Sequence, residues 1–437
     1  MKKFNIKNIL LLVGLFVSAF AFNACNDNKN DGSNTPMTID RVFLQDANST
    51  VPDRLVTFAR LGQTIRLEGS GFTGVTKLFI NGHSNYFNPV FVTNNIMIFQ
   101  ISSETPTVDA PDDVRNTIRL EKSADNYKVY PFDIRSAAPT IISISHTMPQ
   151  AGDLITIYGT GLQGVTSVTF PGNVVVTDGI VSDEVDGKWC TVTVPGGVSN
   201  DGGSVLILGA NGGAYSPACF NFKKGVLHNF DDVQNYSWGS GVDNTALTAV
   251  IPASGPGPRS QGGYQVFNSA GNLAGGADQR FWLNSTPVMT TMGIIPASTA
   301  ASDCGIQMDI YVEGVWNSGI IRFVMADGWG ASRYCMIFQP VYVNGAYNKD
   351  AFVNPGSWFT VTLPFDLSAD FVGKTIGDVI AQMSAATYKQ SGPWFENSGI
   401  KDVFDPVPAT QKVYFDNIRV VPLNTPTYSD FPDEVTN

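Results

Sequence analysis

The chain has 437 residues, which is too long for one hydrophobic core and predicts several domains. Its composition of 43% hydrophobic and 15% charged residues, with 43 glycines and 25 prolines, is typical of a folded protein with many turns and excludes a disordered chain. A net charge of -11, with no basic run after the N-terminus, argues against nucleic acid as a partner and favours a neutral ligand.

The first residues carry an export signal. Lys2, Lys3 and Lys7 precede an apolar stretch, Ile9 to Phe22, which has the length of a signal-peptide core and is too short to cross a bilayer. Residues 1–24 are therefore predicted to be a signal peptide.

The sequence Phe22-Asn23-Ala24-Cys25 resembles a bacterial lipobox, which implies that Cys25 becomes the lipidated first residue of the mature protein. An ordinary cleaved signal with an incidental cysteine is the alternative. The polar residues that follow resemble the surface-export signals of Bacteroidetes lipoproteins, and residues 25–37 are predicted to be a flexible tether. The expected location is the outer membrane of the cell, exposed at the surface and attached to the membrane through the lipid.

A repeat follows the tether. Residues 62–76 match residues 152–166, 90 positions later, at every glycine and at the alternating apolar positions. A repeat of this size, with alternating strands and glycine-rich turns, is typical of one small β-sandwich. The pattern resembles the IPT/TIG group of immunoglobulin-like domains, which implies one such domain over residues 38–136 and a second over residues 137–223.

Both copies of the repeat contain the pattern G-x-G-x-x-G, from Gly69 to Gly74 and from Gly159 to Gly164. A dinucleotide site needs a helix directly after this pattern, so that its N-terminus contacts the pyrophosphate. Strand-like sequences follow in both copies, and the glycines are therefore interpreted as tight turns with positive φ. No nucleotide and no other cofactor is expected.

The C-terminal region, residues 224–437, is longer than a repeat and contains every tryptophan except Trp189. Strand-like sequences at both of its ends predict a larger, jelly-roll-like β-sandwich. The predicted fold class is therefore all-β, with two tandem immunoglobulin-like (IPT/TIG) sandwiches followed by this larger sandwich.

Three segments of this region, Phe230-Asp231-Asp232, Trp358 to Pro364 and Tyr414 to Val420, resemble carbohydrate-binding jelly rolls. With the lipobox and the two repeats, they make the chain similar to the surface glycan-binding protein B family of Bacteroidetes polysaccharide-utilisation systems. The resemblance implies a non-catalytic lipoprotein that holds a polysaccharide, expected to be a neutral β-glucan of the xyloglucan, mixed-linkage or laminarin type. The implied partners are an outer-membrane importer, its binding lid protein and a surface endo-glycanase.

Aromatic side chains in polar turns are the predicted sugar contacts, because an indole stacks on the apolar face of a pyranose at little entropic cost. The predicted glycan-binding residues are Trp316, Trp329, Trp394, Tyr342, Tyr347 and Asn397. Each tryptophan has the alternative role of covering one end of the sandwich. Trp358, in an alternating strand, is predicted to lie in the core, and Trp282 is compatible with either role.

No metal is expected, although Asp231 and Asp416 offer oxygen ligands of the kind that bind a structural Ca²⁺. Aspartates in turns more often cap the backbone.

Two pairs of cysteines, Cys190 with Cys219 and Cys304 with Cys335, fall in two of the predicted domains. Disulfides are permitted in an exported protein. Free, buried thiols are favoured, because Cys190 shares one strand face with apolar neighbours.

An enzyme is not expected. The three histidines lie far apart in the sequence, so neither a zinc cluster nor a Ser–His–Asp set is indicated. The glutamates of the C-terminal region, Glu313, Glu396 and Glu434, are widely separated, whereas a glycanase needs two facing carboxylates. Two aspartates could fill that role, so a glycan-active enzyme stays open. A surface adhesin for host glycan or protein is the nearer alternative, since it would use the same aromatic residues.

Overall fold

The computed structural model describes residues 35–46, 51, 53–237, 262–326, 334–344, 346–397 and 407–431. The predicted signal peptide and Cys25 lie outside this part of the chain. The described residues form β-sandwiches with two short helices, so the all-β prediction is confirmed. Two compact units are present, one that ends at Ser136 and one that runs from Ala137 to Pro432. Neither of the described helices has the length and hydropathy of a membrane span.

The first unit is a sandwich of two four-stranded antiparallel sheets. One sheet has the order β2-β1-β4-β7 and the other β6-β5-β8-β9, while β3 and β10 pair in parallel beside them. The strands are β1 Thr38–Leu44, β2 Arg54–Leu55, β3 Phe58–Arg60, β4 Thr64–Ser70, β5 Lys77–Ile80, β6 His83–Asn85, β7 Ile96–Gln100, β8 Thr117–Ser123, β9 Asn126–Pro131 and β10 Asp133–Arg135.

The second unit opens with a similar sandwich, whose sheets have the orders β11-β12-β16-β15 and β14-β13-β18-β19, with β17 and β20 paired separately. The strands are β11 Thr140–Ile144, β12 Leu154–Thr160, β13 Val165–Phe170, β14 Val174–Val176, β15 Val181–Ser182, β16 Trp189–Thr193, β17 Asp201–Gly203, β18 Leu206–Gly209, β19 Gly212–Tyr215 and β20 Phe220–Phe222.

Steric contacts explain why the repeat has glycine at fixed positions. A Cβ at Gly69 would collide with the carbonyl oxygen of Thr38, and a Cβ at Gly159 with that of Thr140. The register of the neighbouring strand shifts at the same place in both copies. The next glycine of each copy, Gly71 at φ 74° and Gly161 at φ 69°, has the positive φ that glycine adopts readily. A strand follows each turn, so no phosphate-binding helix begins there.

The remaining strands build the larger sandwich. Its first sheet has the order β21-β32-β25-β30, with β22 also beside β32, and its second sheet has the order β23-β31-β26-β27, with β24 beside β31. The strands are β21 Val226–His228, β22 Gln265–Phe267, β23 Asp278–Arg280, β24 Leu283–Asn284, β25 Cys304–Glu313, β26 Ile320–Ala326, β27 Tyr334–Phe338, β28 Tyr342–Val343, β29 Ala346–Tyr347, β30 Phe359–Pro364, β31 Gln390–Glu396 and β32 Lys412–Pro422.

Two helices, α1 Ser285–Met292 and α2 Ile376–Ala385, add apolar side chains to the core of this sandwich. Neither helix is predicted from the sequence. The side chain of Asn284 caps α1, and Thr375 forms a capping box with Asp378 at the start of α2, which satisfies N–H groups that a short helix leaves open.

A buried polar network joins the second immunoglobulin-like sandwich to the larger one. The guanidinium of Arg419, which is 0% exposed, donates to both carboxylate oxygens of Asp309 at 2.9 and 3.1 Å. It also donates to the hydroxyl of Thr147, a residue of the immunoglobulin-like sandwich, at 2.9 Å. Although burial opposes the charged carboxylate, Arg419 and the neighbouring His146 hold the pKa of Asp309 well below its usual range. The two sandwiches therefore share one core of hydrogen bonds.

The four described cysteines are free thiols. Cys190 lies in the core with Val192 and Val194, as its strand pattern predicts. Cys219 and Cys304 are also buried, whereas Cys335 is half-buried and accepts a hydrogen bond from Arg322, which departs from the expectation that all four are buried. Burial raises the pKa of Cys190 to about 11 and that of Cys304 to about 12.

We expect alkylation of the native protein at mildly alkaline pH to modify Cys335 and to spare the three buried thiols, because the thiolate is the reactive form. Unfolding in denaturant before alkylation should expose all four. Peptide mapping by mass spectrometry gives the modified positions. A disulfide-linked peptide pair in the non-reduced digest would contradict this expectation.

Candidate functional site

The structure places Trp316 in the hydrophobic core, and the prediction that its indole lies on an exposed turn is wrong. The side chain is 1% exposed and packs edge-on against Phe338, Phe352 and Phe395. Its Nε1 donates to the carbonyl oxygen of Gly319 at 2.9 Å, which turns the ring inward from the turn that carries it. An indole enclosed in this way offers no face to a sugar.

Asn397 also has a structural role instead of the predicted contact with ligand. The residue is 0% exposed, its Nδ2 donates to the carbonyl oxygens of Leu273 and Val407, and its Oδ1 accepts from Ser318. These three bonds use the polar atoms that a glycan hydroxyl would need.

The two tyrosines of the predicted platform face each other across the short β28–β29 hairpin, with ring centroids 6.3 Å apart. Both are half-buried against the core, and the hydroxyl of Tyr347 donates to the carbonyl oxygen of Asn317. Trp329 lies outside the described residues, in the connection between β26 and β27.

Trp394 lies on the outer face of the second sheet of the large sandwich, together with Trp282. Their ring centroids are 6.0 Å apart at an interplanar angle of 62°. Trp282 is 2% exposed and Trp394 is 3% exposed, and both pack on Val324 of the central strand β26. The alternation of strand β31 explains the placement, because Phe395 points into the core and its neighbour therefore points outward.

Two ion pairs lie on the same outer face. The guanidinium of Arg280 stacks on the ring of Trp394 at 4.3 Å and pairs with Asp278 at 2.7 Å. Arg322, on β26 at the other side of the strand that carries Trp394, pairs with Glu396 at 2.9 Å. The four charged side chains keep between 18% and 25% of their surface exposed.

This group, which we call the Trp282–Trp394 face, combines two indoles that are almost wholly buried with charged hydrogen-bonding groups that are partly exposed. The guanidinium groups donate in a planar fork, and the carboxylates accept, so hydroxyl groups of a ligand find both kinds of partner. Each arginine is already oriented by its carboxylate, which lowers the entropic cost of holding it in place for a ligand. Such a surface suits a neutral, hydroxyl-rich ligand.

A second aromatic group lies on the outer face of the opposite sheet. It consists of Tyr264, Tyr311, Trp358 and Tyr414. Trp358 is 5% exposed, so it is buried as predicted, but it lies in this outer group and not in the main core. At the rim, Glu313 accepts from Lys412 and from the hydroxyl of Tyr414 at 2.8 Å each. The Arg419 network occupies the same sheet, where the immunoglobulin-like sandwich docks.

Arg280, Arg322 and Glu396 are not among the site residues predicted from the sequence. A signal was available for one of them, since Glu396 follows Trp394 by two positions and therefore lies on the same strand face. The arginines come from other strands, and only the strand pairing brings Arg280 and Arg322 opposite Trp394.

Asp231 and Asp416 do not form part of a metal-binding cluster, and the described residues hold no group of three or more metal-ligating side chains. Asp416 is fully buried, and its carboxylate accepts from the backbone N–H of Asn417. Burial and the nearby charge of Asp309 raise its pKa well above the usual range. Asp231 accepts from the backbone N–H of Gly263, as expected of a turn cap.

Comparison with known families gives a match that covers the larger sandwich. Residues 220–422 match the family described as the surface glycan-binding protein B xyloglucan binding domain. The C-terminal domain belongs to the surface glycan-binding protein B family. The family is described by glycan binding, which agrees with the expectation of a binding protein.

A Bacteroides ovatus protein named "IPT/TIG domain-containing protein" is 27% identical over 205 residues, which are 44% of this chain and 41% of the relative. The match thus spans about two fifths of the relative's length. The crystal structure of the surface glycan-binding protein PbSGBP-B from Prevotella bryantii has the same fold, with a TM-score of 0.60 and 18% identity over 89% of this chain and 99% of the other. An SGBP-B from a xyloglucan utilization locus in Bacteroides uniformis gives a TM-score of 0.46 and 17% identity over 88% and 99% of the two chains.

Proposed function

We propose that the surface glycan-binding protein B domain of this chain binds a neutral β-glucan, with xyloglucan and mixed-linkage glucan as the first candidates. The family match over residues 220–422 carries the proposal, since the family is described by its xyloglucan binding. The Trp282–Trp394 face supports it, because its oriented and partly exposed guanidinium and carboxylate groups offer donors and acceptors to the hydroxyls of a sugar, whereas its two indoles are buried. A shallow face of this kind suits affinities of roughly micromolar to millimolar.

In the cell, the domain would retain the polysaccharide for uptake. Lipidation of Cys25 would hold the chain in the outer membrane, and in chain order the two immunoglobulin-like sandwiches lie between that anchor and the binding domain. An outer-membrane importer with its lid protein and a surface endo-glycanase are the proposed partners. The low charge of the ligand matches the acidic chain, whose net charge of -11 repels polyanions.

The first experiment is titration calorimetry of the protein with xyloglucan, mixed-linkage glucan, laminarin and heparin. We expect saturable heat with at least one neutral glucan and none with heparin, and no new reducing ends after prolonged incubation. The absence of binding heat with all three glucans would overturn the proposal and favour an adhesin. Released sugar would identify an enzyme.

Two matched substitutions locate the site. We expect Glu396→Gln, which removes the acceptor charge beside Trp394, to weaken glucan binding by about tenfold or more, since a hydrogen bond to a charged group contributes about 1.5–3 kcal/mol. Glu313→Gln makes the same change on the opposite sheet and should leave the affinity unchanged. Calorimetry measures both. The reverse result would move the site to the face that carries Tyr311 and Trp358.

A further inference from the structure

The first immunoglobulin-like sandwich contains a cleft of about 740 Å³ that the proposed function does not use. It lies between the edge strands β6 and β7, which belong to different sheets, and the turn Pro89–Phe91 forms part of its wall. Its volume falls within the range of small-molecule sites, roughly 300–1,000 Å³.

Aromatic side chains project from the wall of this cleft. Tyr86 is 81% exposed and Phe91 is 55% exposed, and the half-buried ring of Phe87 lies between them in the sequence. Single exposed apolar residues are common on protein surfaces, but a group this dense around a concavity marks a binding surface.

The walls of the cleft are rigid before any ligand arrives. The buried amide of Asn85 donates to the carbonyl oxygens of Tyr86 and Gln100 and accepts from the backbone N–H of Ser102, so it ties the two edge strands together. The side chain of Asn88 accepts from the N–H of Val90 and fixes the turn. The aromatic rings are thus attached to a fixed backbone.

The second sandwich shows that the repeat does not need these aromatic residues. In the first sandwich Asn85 pairs with Leu78 across the hairpin, and in the second Val176 pairs with Val168 at the same position. The residues after Val176 are Thr177-Asp178-Gly179, without an aromatic ring. The aromatic wall is therefore an addition to the first sandwich and not a requirement of its fold.

The lining of the cleft indicates the ligand. Besides the aromatic rings it consists mainly of hydroxyl and amide side chains, with Glu104 as its one carboxylate and His83 as its one imidazole. Neither side chain forms an ion pair with a described residue, and no cluster of cations is present in this lining to hold an anion. Rings that stack and neutral groups that hydrogen-bond suit a saccharide better than a charged peptide or lipid headgroup.

We propose that this cleft is a second site for the neutral glucan, with Tyr86 and Phe91 as its stacking residues. The inference rests on the proposed function, because it takes the same class of ligand. A polysaccharide chain offers many equivalent segments, so a second site would add residence time to each captured chain.

Hydrogen exchange followed by mass spectrometry tests the proposal on the full chain, with xyloglucan heptasaccharide and mixed-linkage glucan heptasaccharide as probes. We expect slower exchange in peptides that cover residues 83–91 and 96–104, besides the peptides of the C-terminal domain. The double variant Tyr86→Ala/Phe91→Ala should lose only the first protection. The control Tyr127→Ala, a 51% exposed tyrosine of the same sandwich that does not line the cleft, should lose neither.

Protection confined to the C-terminal domain would overturn the second site and leave the proposed function standing. No protection in any peptide with either probe would count against both. Protection at residues 83–104 that persists in the double variant would overturn the assignment of the stacking residues. Circular dichroism and thermal unfolding of the double variant should match the parent protein, because both side chains are largely exposed.

Discussion

Replacement of Arg419 by methionine should lower the free energy of unfolding of the second unit by about 3–5 kcal/mol. The guanidinium is 0% exposed and satisfies both oxygens of Asp309, the hydroxyl of Thr147 and the carbonyl oxygen of Asn417. Methionine fills much of the same volume but leaves the Asp309 carboxylate buried without its main counter-charge. Removal of one partner of a buried pair is costly for this reason, even where the intact pair contributes little.

Denaturant unfolding monitored by tryptophan fluorescence measures this loss. The matched control is Lys224→Met, which removes a lysine of the same unit from an ion pair with Asp201 whose side chains are 57% and 70% exposed. An exposed pair of this kind contributes about 1 kcal/mol or less. Equal losses in the two variants would show that the Arg419 network does not stabilise the junction.

Truncation of Trp316 to alanine should cost about 3–5 kcal/mol of stability, the usual range for a buried tryptophan. The folded fraction should bind glucan with unchanged affinity, because the indole is enclosed by Phe338, Phe352 and Phe395. The stability curve and a calorimetric titration below the unfolding transition measure the two effects separately.

The milder variant Trp316→Phe tests the same prediction if the alanine variant does not fold. It keeps an aromatic ring in the core and loses the hydrogen bond to Gly319, so we expect a smaller loss of stability and no change in affinity. A lower affinity for glucan without a lower free energy of unfolding would show that Trp316 contacts the ligand.

The parts of the fold that depend on local pattern were predictable from the sequence. The glycines of the repeat are forced by the close approach of Thr38 and Thr140, so their spacing repeats with the fold. Cys190 lies in the core because alternation along one strand fixes which side faces inward. The start of helix α2 could be predicted, since Thr375 and Asp378 have the spacing of a capping box. The helix is short and lies in a β-rich region, so its apolar pattern is difficult to recognise.

The candidate site was less predictable, because it depends on the direction of rings and on contacts between distant strands. A polar turn around Trp316 indicates exposure, yet the bond to the carbonyl oxygen of Gly319 points the ring inward. Arg280 and Trp394 are far apart in the sequence and meet only because β23 and β31 pair. Nothing in either segment alone specifies that pairing.

The Arg419 network has a mechanical consequence. Strands of the large sandwich and a loop of the preceding one contribute to the same buried bonds, and Thr360 also donates its backbone N–H to Ser145 across the junction. Under the proposed function, tension on a bound polymer would reach the second immunoglobulin-like sandwich through these hydrogen bonds as well as through the connecting backbone.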